Sequence, residues 1–296
     1  MHITACITTR NRTDNLENCL KFLWSAKVKP NLVIVSDDSP SLEVQEQNRK
    51  IVEAYSNTTY LVGPMTGVCA NRNNAVRAVS KSETDYVAFI DDDIYVDSSF
   101  LQKAIKTYED IPYQESKKTI LSGVSYSDLS KIDCSGHEDS YIPPVRLSFL
   151  GYFCSSDQPE AICIHAALFP RSFFDLEEWD ENIYFGYEDA ELCLRALKNN
   201  YAIIHCPGLK VFDAGLGNSS LYTPLIGKLT KYDVNIEAAR LYVGIKRYKD
   251  IFPNQFKLYS FIAAYFSHMF FYLLKNQSLS AFPSIIRSAN IGKLYQ

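Results

Sequence analysis

The stretch Tyr86-Val87-Ala88-Phe89-Ile90-Asp91-Asp92-Asp93 places five residues typical of β-strands directly before three consecutive carboxylates. A run this short and apolar predicts a buried strand of a parallel sheet. The three Asp are expected at its carboxyl end, where open α/β sheets bind ligands. Like charges this close repel, and a divalent cation holding a phosphorylated ligand would neutralise them. On this stretch alone, a solvated acidic turn is an equally good interpretation.

The segments before this stretch alternate between strands and helices. The predicted strands cover residues 3–9, 32–36, 59–62 and 86–91, and the predicted helices between them cover residues 15–24, 42–55 and 73–80. Thr13 or Asp14 is expected to cap the first helix. This order predicts an α/β fold with a Rossmann-like, mostly parallel sheet flanked by helices.

Polar clusters follow three of these strands, at residues 8–12, 37–39 and 91–93. The carboxyl ends of parallel strands lie at one edge of a sheet, so the three clusters are expected to surround one ligand crevice. No G-x-G-x-x-G follows the first strand and no G-x-x-x-x-G-K-[ST] occurs, which excludes a dinucleotide fingerprint and a P-loop.

The pattern after residue 110 is less regular. Strands are predicted at residues 120–125 and 161–170, on either side of a mixed segment, residues 127–158, that is expected to shape a second pocket. Glu188 and Asp189 are expected at a helix N-terminus, where the helix dipole would lower their pKa. Two further strands, residues 201–206 and 209–212, precede a glycine-containing loop at residues 214–220, of the kind that closes over ligands.

Charge is distributed unevenly along the 296 residues, whose net charge of −4 argues against a nucleic-acid partner. Residues 228–296 hold 10 Lys and Arg against 3 Asp and Glu, a net of +7, which leaves −11 for the first 227 residues. A basic, aromatic tail predicts contact with an anionic surface such as membrane lipid. Residues 258–274 lack charged side chains, but a helix of that length rises roughly 26 Å, short of the ~30 Å bilayer core, so packing on the body or in the interface is favoured over spanning.

Other features indicate an intracellular protein. Eight Cys occur without a C-x-x-C pair, which is typical of reduced thiols in the cytosol. Met1 to Leu20 lacks the basic and apolar regions of a secretory signal. His165, which stands alone, is expected to be structural or exposed.

Five ordered segments within residues 2–220 together resemble the family 2 glycosyltransferases, which have the nucleotide-diphospho-sugar (GT-A) fold. They are Thr8-Thr9-Arg10-Asn11-Arg12, Val35-Ser36-Asp37-Asp38-Ser39, Gly67-Val68-Cys69-Ala70-Asn71-Arg72-Asn73, Phe89-Ile90-Asp91-Asp92-Asp93 with its DxD motif, and Trp179-Asp180-Glu181 through Tyr187-Glu188-Asp189 to Arg195. Each segment is a weak signal by itself, whereas five in the family's order make a specific one.

The resemblance implies roles for individual residues. The nucleotide sugar would be bound by Thr8, Thr9, Arg10, Arg12, Asp38, Arg72, Asp91 and Asp92. Asp91 and Asp93 would hold Mn²⁺ or Mg²⁺, Asp189 would be the general base, and Glu188 would organise the acceptor. The family often has a metal-binding His where this chain has Asp213, so either Asp213 or His205 is the candidate third ligand.

The function implied by the resemblance is inverting, metal-dependent transfer of a sugar from a UDP- or dTDP-type nucleotide-diphospho-sugar. The acceptor would be a hydroxyl of a glycan or of a lipid-linked molecule. The basic, aromatic tail favours a lipid-linked acceptor at the cytoplasmic face of the membrane, as in surface polysaccharide biosynthesis. Residues 1–222 would form the GT-A domain, with nucleotide-binding residues 1–110 and acceptor-side residues 111–222. Residues 223–296 would form a basic, aromatic helical extension in peripheral contact with an anionic membrane.

Two alternatives remain open. A nucleotidyltransferase shares a similar sheet and acidic metal site, but it usually has a glycine-rich basic loop after the first strand, and Thr8 to Arg12 contains no Gly. A catalytically degenerate sugar-nucleotide or glycan-binding module is the second alternative. The presence of Asp91, Asp93 and Asp189 together disfavours it, and a metal-dependent donor hydrolysis assay would separate it from an enzyme.

Overall fold

The computed structural model describes residues 1–126, 144–214 and 222–296. Most of the predicted excursion at residues 127–158 lies outside these ranges, and so does most of the predicted loop at residues 214–220. The second pocket expected from the excursion therefore stays a prediction.

Strands of the described chain form one large sheet and two hairpins. In chain order they are β1 Ile3–Thr9, β2 Leu32–Asp37, β3 Thr58–Val62, β4 Tyr86–Asp91, β5 Ile94–Val96, β6 Thr119–Tyr126, β7 Val145–Leu147, β8 Phe153–Ser155, β9 Ala167–Pro170, β10 Ala202–Asp213, β11 Pro224–Ile226 and β12 Leu229–Thr230. The large sheet has the order β3-β2-β1-β4-β9-β6-β10-β5. Its first four strands are parallel, β9 is antiparallel to both neighbours, and β10 is parallel to β6 and antiparallel to β5. The predicted mostly parallel sheet is confirmed.

Helices cover both faces of this sheet. They are α1 Thr13–Ser25, α2 Leu42–Glu53, α3 Val68–Arg77, α4 Phe100–Glu109, α5 Tyr113–Ser116, α6 Glu188–Lys198, α7 Lys231–Lys246, α8 Gln255–Lys275 and α9 Phe282–Ser288. Apolar side chains of α1 and α4 fill the core on one face, and those of α3, α6 and α7 fill the core on the other. Burial of both faces explains why β1, β2 and β4 are almost continuously apolar.

Several predicted element boundaries are wrong. Helix α3 begins at Val68 rather than at residue 73, directly after Gly67, whose φ of 127° ends the preceding loop. The predicted strand at residues 161–170 is shortened to Ala167–Pro170 by a 3₁₀ turn at Ile164–Ala166. The N-cap of α1 is Arg12, and no side chain caps that helix.

The two strands predicted around Pro207 and Gly208 are a single strand, β10. Its pairing with β6 shifts register between His205 and Lys210. A bulge accommodates a proline, which cannot donate to the ladder, without ending the strand.

Helices α7, α8 and α9 enclose a third core, which includes the buried face of α8 formed by Leu258, Phe261, Tyr265, Met269 and Leu273. Tyr242 and Val243 of α7 also join the core of the sheet, so the extension is packed on the body. No helix within the three described ranges is long and apolar enough to cross a membrane. The domain boundary at residue 222 stays a prediction.

Candidate active site

The register of the parallel strands brings the predicted polar clusters to one edge of the sheet. Thr8 of β1 lies opposite Asp91 of β4, and Thr9 lies opposite Asp37 of β2. Parallel strands in register end together, so the side chains that follow them share one crevice. The expected convergence of the three clusters is confirmed.

Arg12 neutralises two of the three consecutive carboxylates. Its Nη1 atom lies 3.0 Å from Asp92 Oδ1 and 2.6 Å from Asp93 Oδ2. Thr9 Oγ1 donates a second hydrogen bond to Asp92, at 2.7 Å. Burial raises the pKa of Asp92 to about 7, with the neighbouring carboxylates adding to the effect, and burial also raises the pKa of Asp93. The site therefore holds more negative charge than Arg12 alone balances.

Arg72 connects the acidic motif after β4 with the start of α6. This buried guanidinium donates from Nη2 to Asp91 Oδ1 at 3.3 Å and from Nη1 to Glu188 Oε1 at 3.1 Å. It also lies 4.9 Å from the centre of the Trp179 ring. Although burial acts in the opposite direction, the charges of Arg72 and His165 hold the pKa of Asp91 well below its usual range.

Glu188 and Asp189 begin α6, as predicted, after a left-handed turn at Gly186 and Tyr187 with φ values of 86° and 61°. The expectation of a lowered pKa for Asp189 is wrong. Burial and the adjacent charge of Glu188 raise the pKa of Asp189 to about 7, although Asp189 Oδ1 accepts a hydrogen bond from the backbone N–H of Ala190 at 2.7 Å. Desolvation outweighs the helix terminus here.

The second carboxylate oxygen of Glu188 is a buried acceptor. Its Oε1 atom accepts from Arg72, whereas Oε2 has no hydrogen-bond partner within the part of the chain that the structure describes. A buried polar atom of this kind is costly unless a ligand satisfies it. It suits a hydrogen bond from a hydroxyl group.

Asp38 occupies the end of the crevice beside β2. Its Oδ1 atom accepts a hydrogen bond from the backbone N–H of Met65 at 2.9 Å, and burial raises its pKa. A Cβ atom at Gly63 would lie 2.1 Å from this oxygen, so only glycine fits beside it. Arg10 is exposed at the mouth of the crevice, near enough for its charge to oppose the rise in the Asp38 pKa.

The two candidates for a third metal ligand lie far apart on β10. Asp213 of β10 pairs with Ile94 of β5, and the N–H of the next residue, Ala214, donates to the carbonyl of Asp93 at 2.9 Å. Asp213 therefore lies beside Asp93. His205 precedes Asp213 by eight residues on the same strand and pairs with Ser122 of β6. Residues His205 to Phe212 oppose only Ser122 to Tyr126 of β6, so at about 3.3 Å per residue His205 lies roughly 13 Å along the sheet from Phe212, the neighbour of Asp213. This separation favours Asp213 as the third ligand, which stays a prediction.

His165 lies next to Asp91, one of the predicted site residues, and the expectation that it is structural or exposed stays a prediction. Its Nδ1 atom lies 3.6 Å from Asp91 Oδ2, and its Nε2 atom lies 3.0 Å from Cys163 Sγ. A lone His before an apolar strand carries no signal for this contact, because the contact depends on β9 lying next to β4.

Within residues 1–126, 144–214 and 222–296, no three His, Cys, Asp or Glu side chains are grouped closely enough to hold a metal ion by themselves. The seven cysteines of those ranges are free thiols.

Comparisons with known proteins give a family model that matches part of the chain, and a fold. Residues 4–121 match the family model described as glycosyl transferase family 2. The structure is similar to S. aureus TarS 1–349 in complex with UDP-GlcNAc, at 17% sequence identity and a TM-score of 0.59, over 97% of this chain and 79% of that chain. It is also similar to S. aureus TarS 1–349 in complex with UDP, at 14% identity and a TM-score of 0.54, over 90% of this chain and 72% of that one. No curated protein matches the chain.

Proposed function

We propose that this protein is an inverting, metal-dependent glycosyltransferase. The match of residues 4–121 to the family 2 glycosyltransferase model and the fold shared with S. aureus TarS 1–349 support the proposal. It moves a sugar from a nucleotide-diphospho-sugar of the UDP or dTDP type to a hydroxyl of a glycan or lipid-linked acceptor. The similar TarS structures are complexes with UDP and UDP-GlcNAc, which supports a nucleotide-sugar donor.

The observation that carries this proposal is the double contact of Arg72. One guanidinium binds Asp91, from the acidic motif after β4, and Glu188, from the start of α6. Transfer needs the reacting atoms of donor and acceptor held about 3–3.5 Å apart. Arg72 supports such positioning because it holds one carboxylate of each motif on the same guanidinium group. A site for nucleotide binding alone gives no reason to bury Glu188 and join it to the acidic motif through Arg72.

The nucleotide is bound along the edge formed by β1, β2 and β4. Asp38 and Arg10 lie at the nucleoside end, Thr8 and Thr9 lie beside Asp91 and Asp92, and Arg12 and Arg72 supply positive charge for the diphosphate. Arg12 now pairs with Asp93. It is placed to turn to a phosphate once a cation shares that carboxylate.

The donor set fits a hard divalent cation. Asp91 and Asp93, with Asp213 beside Asp93, offer only oxygen ligands and carry more negative charge than their partners balance. Mg²⁺ is commonly held by one or two carboxylates together with substrate phosphates, so a triad of protein ligands is not needed. Bound there, Mn²⁺ or Mg²⁺ would offset the charge that develops on the departing diphosphate.

Asp189 is the general base of the proposed reaction. With a pKa raised to about 7 it is basic enough to take the acceptor hydroxyl proton near neutral pH. The hydroxyl oxygen then bonds to the anomeric carbon while the bond from that carbon to the phosphate oxygen breaks, and the electron pair leaves with the nucleoside diphosphate. This single displacement inverts the anomeric carbon. Glu188, through its free Oε2, orients the acceptor.

The acidic body and the basic extension support a cytoplasmic enzyme in peripheral contact with the inner face of the membrane. Surface polysaccharide biosynthesis is one process that joins a nucleotide-sugar donor to a lipid-linked acceptor in that location, and it is the process we propose for this protein.

Asp189→Asn tests the assignment of the base. The variant should lose at least about 100-fold in the rate of nucleoside diphosphate release with acceptor present, because positioned proton transfer contributes 10²–10⁴-fold. Its donor Kd, measured by calorimetry, should stay within about two-fold of the wild-type value, since the proposed role of Asp189 is toward the acceptor and not the donor. Asp14→Asn, an exposed Asp in the first turn of α1, is the matched control and should change neither quantity. Equal losses of rate and donor affinity in Asp189→Asn would contradict the assignment.

A further inference from the structure

The outer face of α8 is a row of exposed apolar side chains. Each of these residues is between 51% and 82% exposed, and they are Phe256, Tyr259, Phe270, Phe271 and Leu274. They recur at helical spacing, with the small exposed residues Ala263 and Ser267 between them, and they lie opposite the buried face of the same helix. From 256 to 274 the row is roughly 27 Å long.

The sequence around this row has one sign of charge. Residues 251–296 contain no Asp or Glu and four basic residues, Lys257, Lys275, Arg287 and Lys293. All four are exposed, and none forms an ion pair with any residue of the described ranges. Lys257 directly follows Phe256 and Lys275 directly follows Leu274, so a cation flanks each end of the row about 100° around the helix.

This combination fits a lipid surface better than a second copy of the chain. A stable protein interface buries about 800 Å² per partner, whereas a row 27 Å long on a helix about 12 Å wide offers roughly 320 Å². Two copies meeting at this face would also bring like charges together. An interfacial helix, in contrast, needs only an apolar face that enters the headgroup boundary and basic side chains that reach the anionic headgroups.

Contacts connect α8 to the acceptor side of the site. Tyr187, which precedes Glu188 and Asp189, stacks on Phe153 with ring centres 4.8 Å apart. The residue before Phe153, Tyr152, places its hydroxyl 3.1 Å from His268 Nδ1 of α8. The helix that would meet lipid is thus joined to the catalytic end of α6 by two side-chain contacts.

We propose that the outer face of α8 rests on an anionic bilayer and that the acceptor reaches Asp189 from this surface, carried on a lipid. The surface contact stands independently of the reaction, and the statement about the acceptor rests on the function proposed above. The acidic body of the protein then faces away from the membrane, because its net charge is opposite to that of the extension.

Vesicle flotation tests the contact directly. The wild-type protein should float with phosphatidylcholine vesicles that contain 40% phosphatidylglycerol at low salt, and bind at least ten-fold less to pure phosphatidylcholine or at 0.5 M NaCl. The triple variant Phe256→Ser, Phe270→Ser, Phe271→Ser should lose at least ten-fold in binding. The matched control is Leu42→Ser with Leu176→Ser, which removes side chains that are 65% to 81% exposed on the acidic body and should bind as the wild type does.

Absence of wild-type binding, or equal binding by the triple variant, would overturn the proposal. So would a wild-type dimer that the triple variant converts to a monomer, in light scattering without lipid, because the face would then be an interface between copies. Donor hydrolysis in solution, without vesicles, separates this proposal from the function: the triple variant should retain it. Vesicle binding without any donor hydrolysis in either protein would support the membrane contact of α8. The same result would overturn the proposed function and, with it, the lipid-linked acceptor.

Discussion

Arg72 is the residue on which the candidate site depends most. It is buried and contacts Asp91 of the acidic motif and Glu188 of α6. Removing one partner of a buried ion pair leaves uncompensated charge and costs about 3–5 kcal/mol. Arg72→Met should therefore lower the free energy of unfolding by that amount in urea denaturation at pH 7.

Arg77→Met is the control for this prediction, since Arg77 lies on the same helix and pairs with Glu178 and Glu181 at the surface. It should cost about 1 kcal/mol or less. Arg72→Lys keeps the charge without the planar fork, so it should remain folded and lose at least about ten-fold in activity. Full activity in a folded Arg72→Lys variant would show that the double contact is not required.

The pH dependence of transfer follows from the raised pKa of Asp189. A base acts only when ionised, so kcat/KM should rise about ten-fold per pH unit below about pH 7 and level off above it. Initial rates at low donor and acceptor concentrations between pH 5.5 and 8.5 measure this profile. A rate that is constant over that range would mean that Asp189 does not titrate as the base.

The sequence predicted which residues lie near one another at the site better than it predicted their pKa values and side-chain contacts. Asp91, Asp93 and Asp189 were identified from strand-end and helix-start positions, which are local signals. The raised pKa of Asp189 and the contact of His165 with Asp91 were not, because both arise from side chains that only the folded chain brings near. The sequence pattern also failed to place Arg72 on a helix. Three consecutive polar residues, Asn71 to Asn73, are buried in α3, but a polar run after a glycine predicts a loop.

At the scale of elements, the close approach of α7 and α8 depends on Gly244. A Cβ atom there would lie 2.0 Å from Cζ of Phe261, which is fully buried. Alanine is favoured over glycine in a helix by up to about 1 kcal/mol, but overpacking a core costs about 1–3 kcal/mol. Gly244→Ala should therefore lower the thermal unfolding temperature.

Gly292→Ala provides the comparison, because its Cβ would meet no atom within 4 Å. It should leave the unfolding temperature unchanged or slightly raised. Adding Phe261→Leu to Gly244→Ala should recover part of the lost stability by making room for the methyl group. Stability of Gly244→Ala at or above the wild-type value would contradict the packing described for the extension.

Strands with long apolar runs were predicted well, whereas a very short strand was missed. The strands β1, β2 and β4 carry continuous apolar runs, and their predicted bounds agree with the structure to within one residue. The three-residue strand β5 was missed because Ile94-Tyr95-Val96 follows directly on the acidic motif, and its partner β10 is more than 100 residues away. Pro207 suggested a break in β10, whereas a register shift absorbs it.

At the scale of the whole molecule, the uneven charge and the resemblance of five ordered segments gave the overall organisation. The GT-A fold expected from those segments is confirmed over 97% of the chain by the similarity to S. aureus TarS 1–349 in complex with UDP-GlcNAc. The position of α8 could not be foreseen, because an uncharged helix looks alike whether it packs on a body or lies on a membrane. Its two faces became distinct only when α7 and α9 were seen to cover one of them.

The most direct test of the central claim, that this is a metal-dependent nucleotide-sugar transferase, is the thermal unfolding temperature with a panel of nucleoside diphosphates, with and without Mn²⁺. Ligand at about 100 times its Kd stabilises the native state by about 2.7 kcal/mol, which for a chain of 296 residues corresponds to a rise of roughly 4 °C. We expect such a rise with UDP or dTDP only when Mn²⁺ is present, and its loss in Asp91→Asn with Asp93→Asn. Two results would contradict the account: no rise in unfolding temperature with any nucleotide, or a rise that is the same without Mn²⁺ and in the variant lacking both Asp side chains.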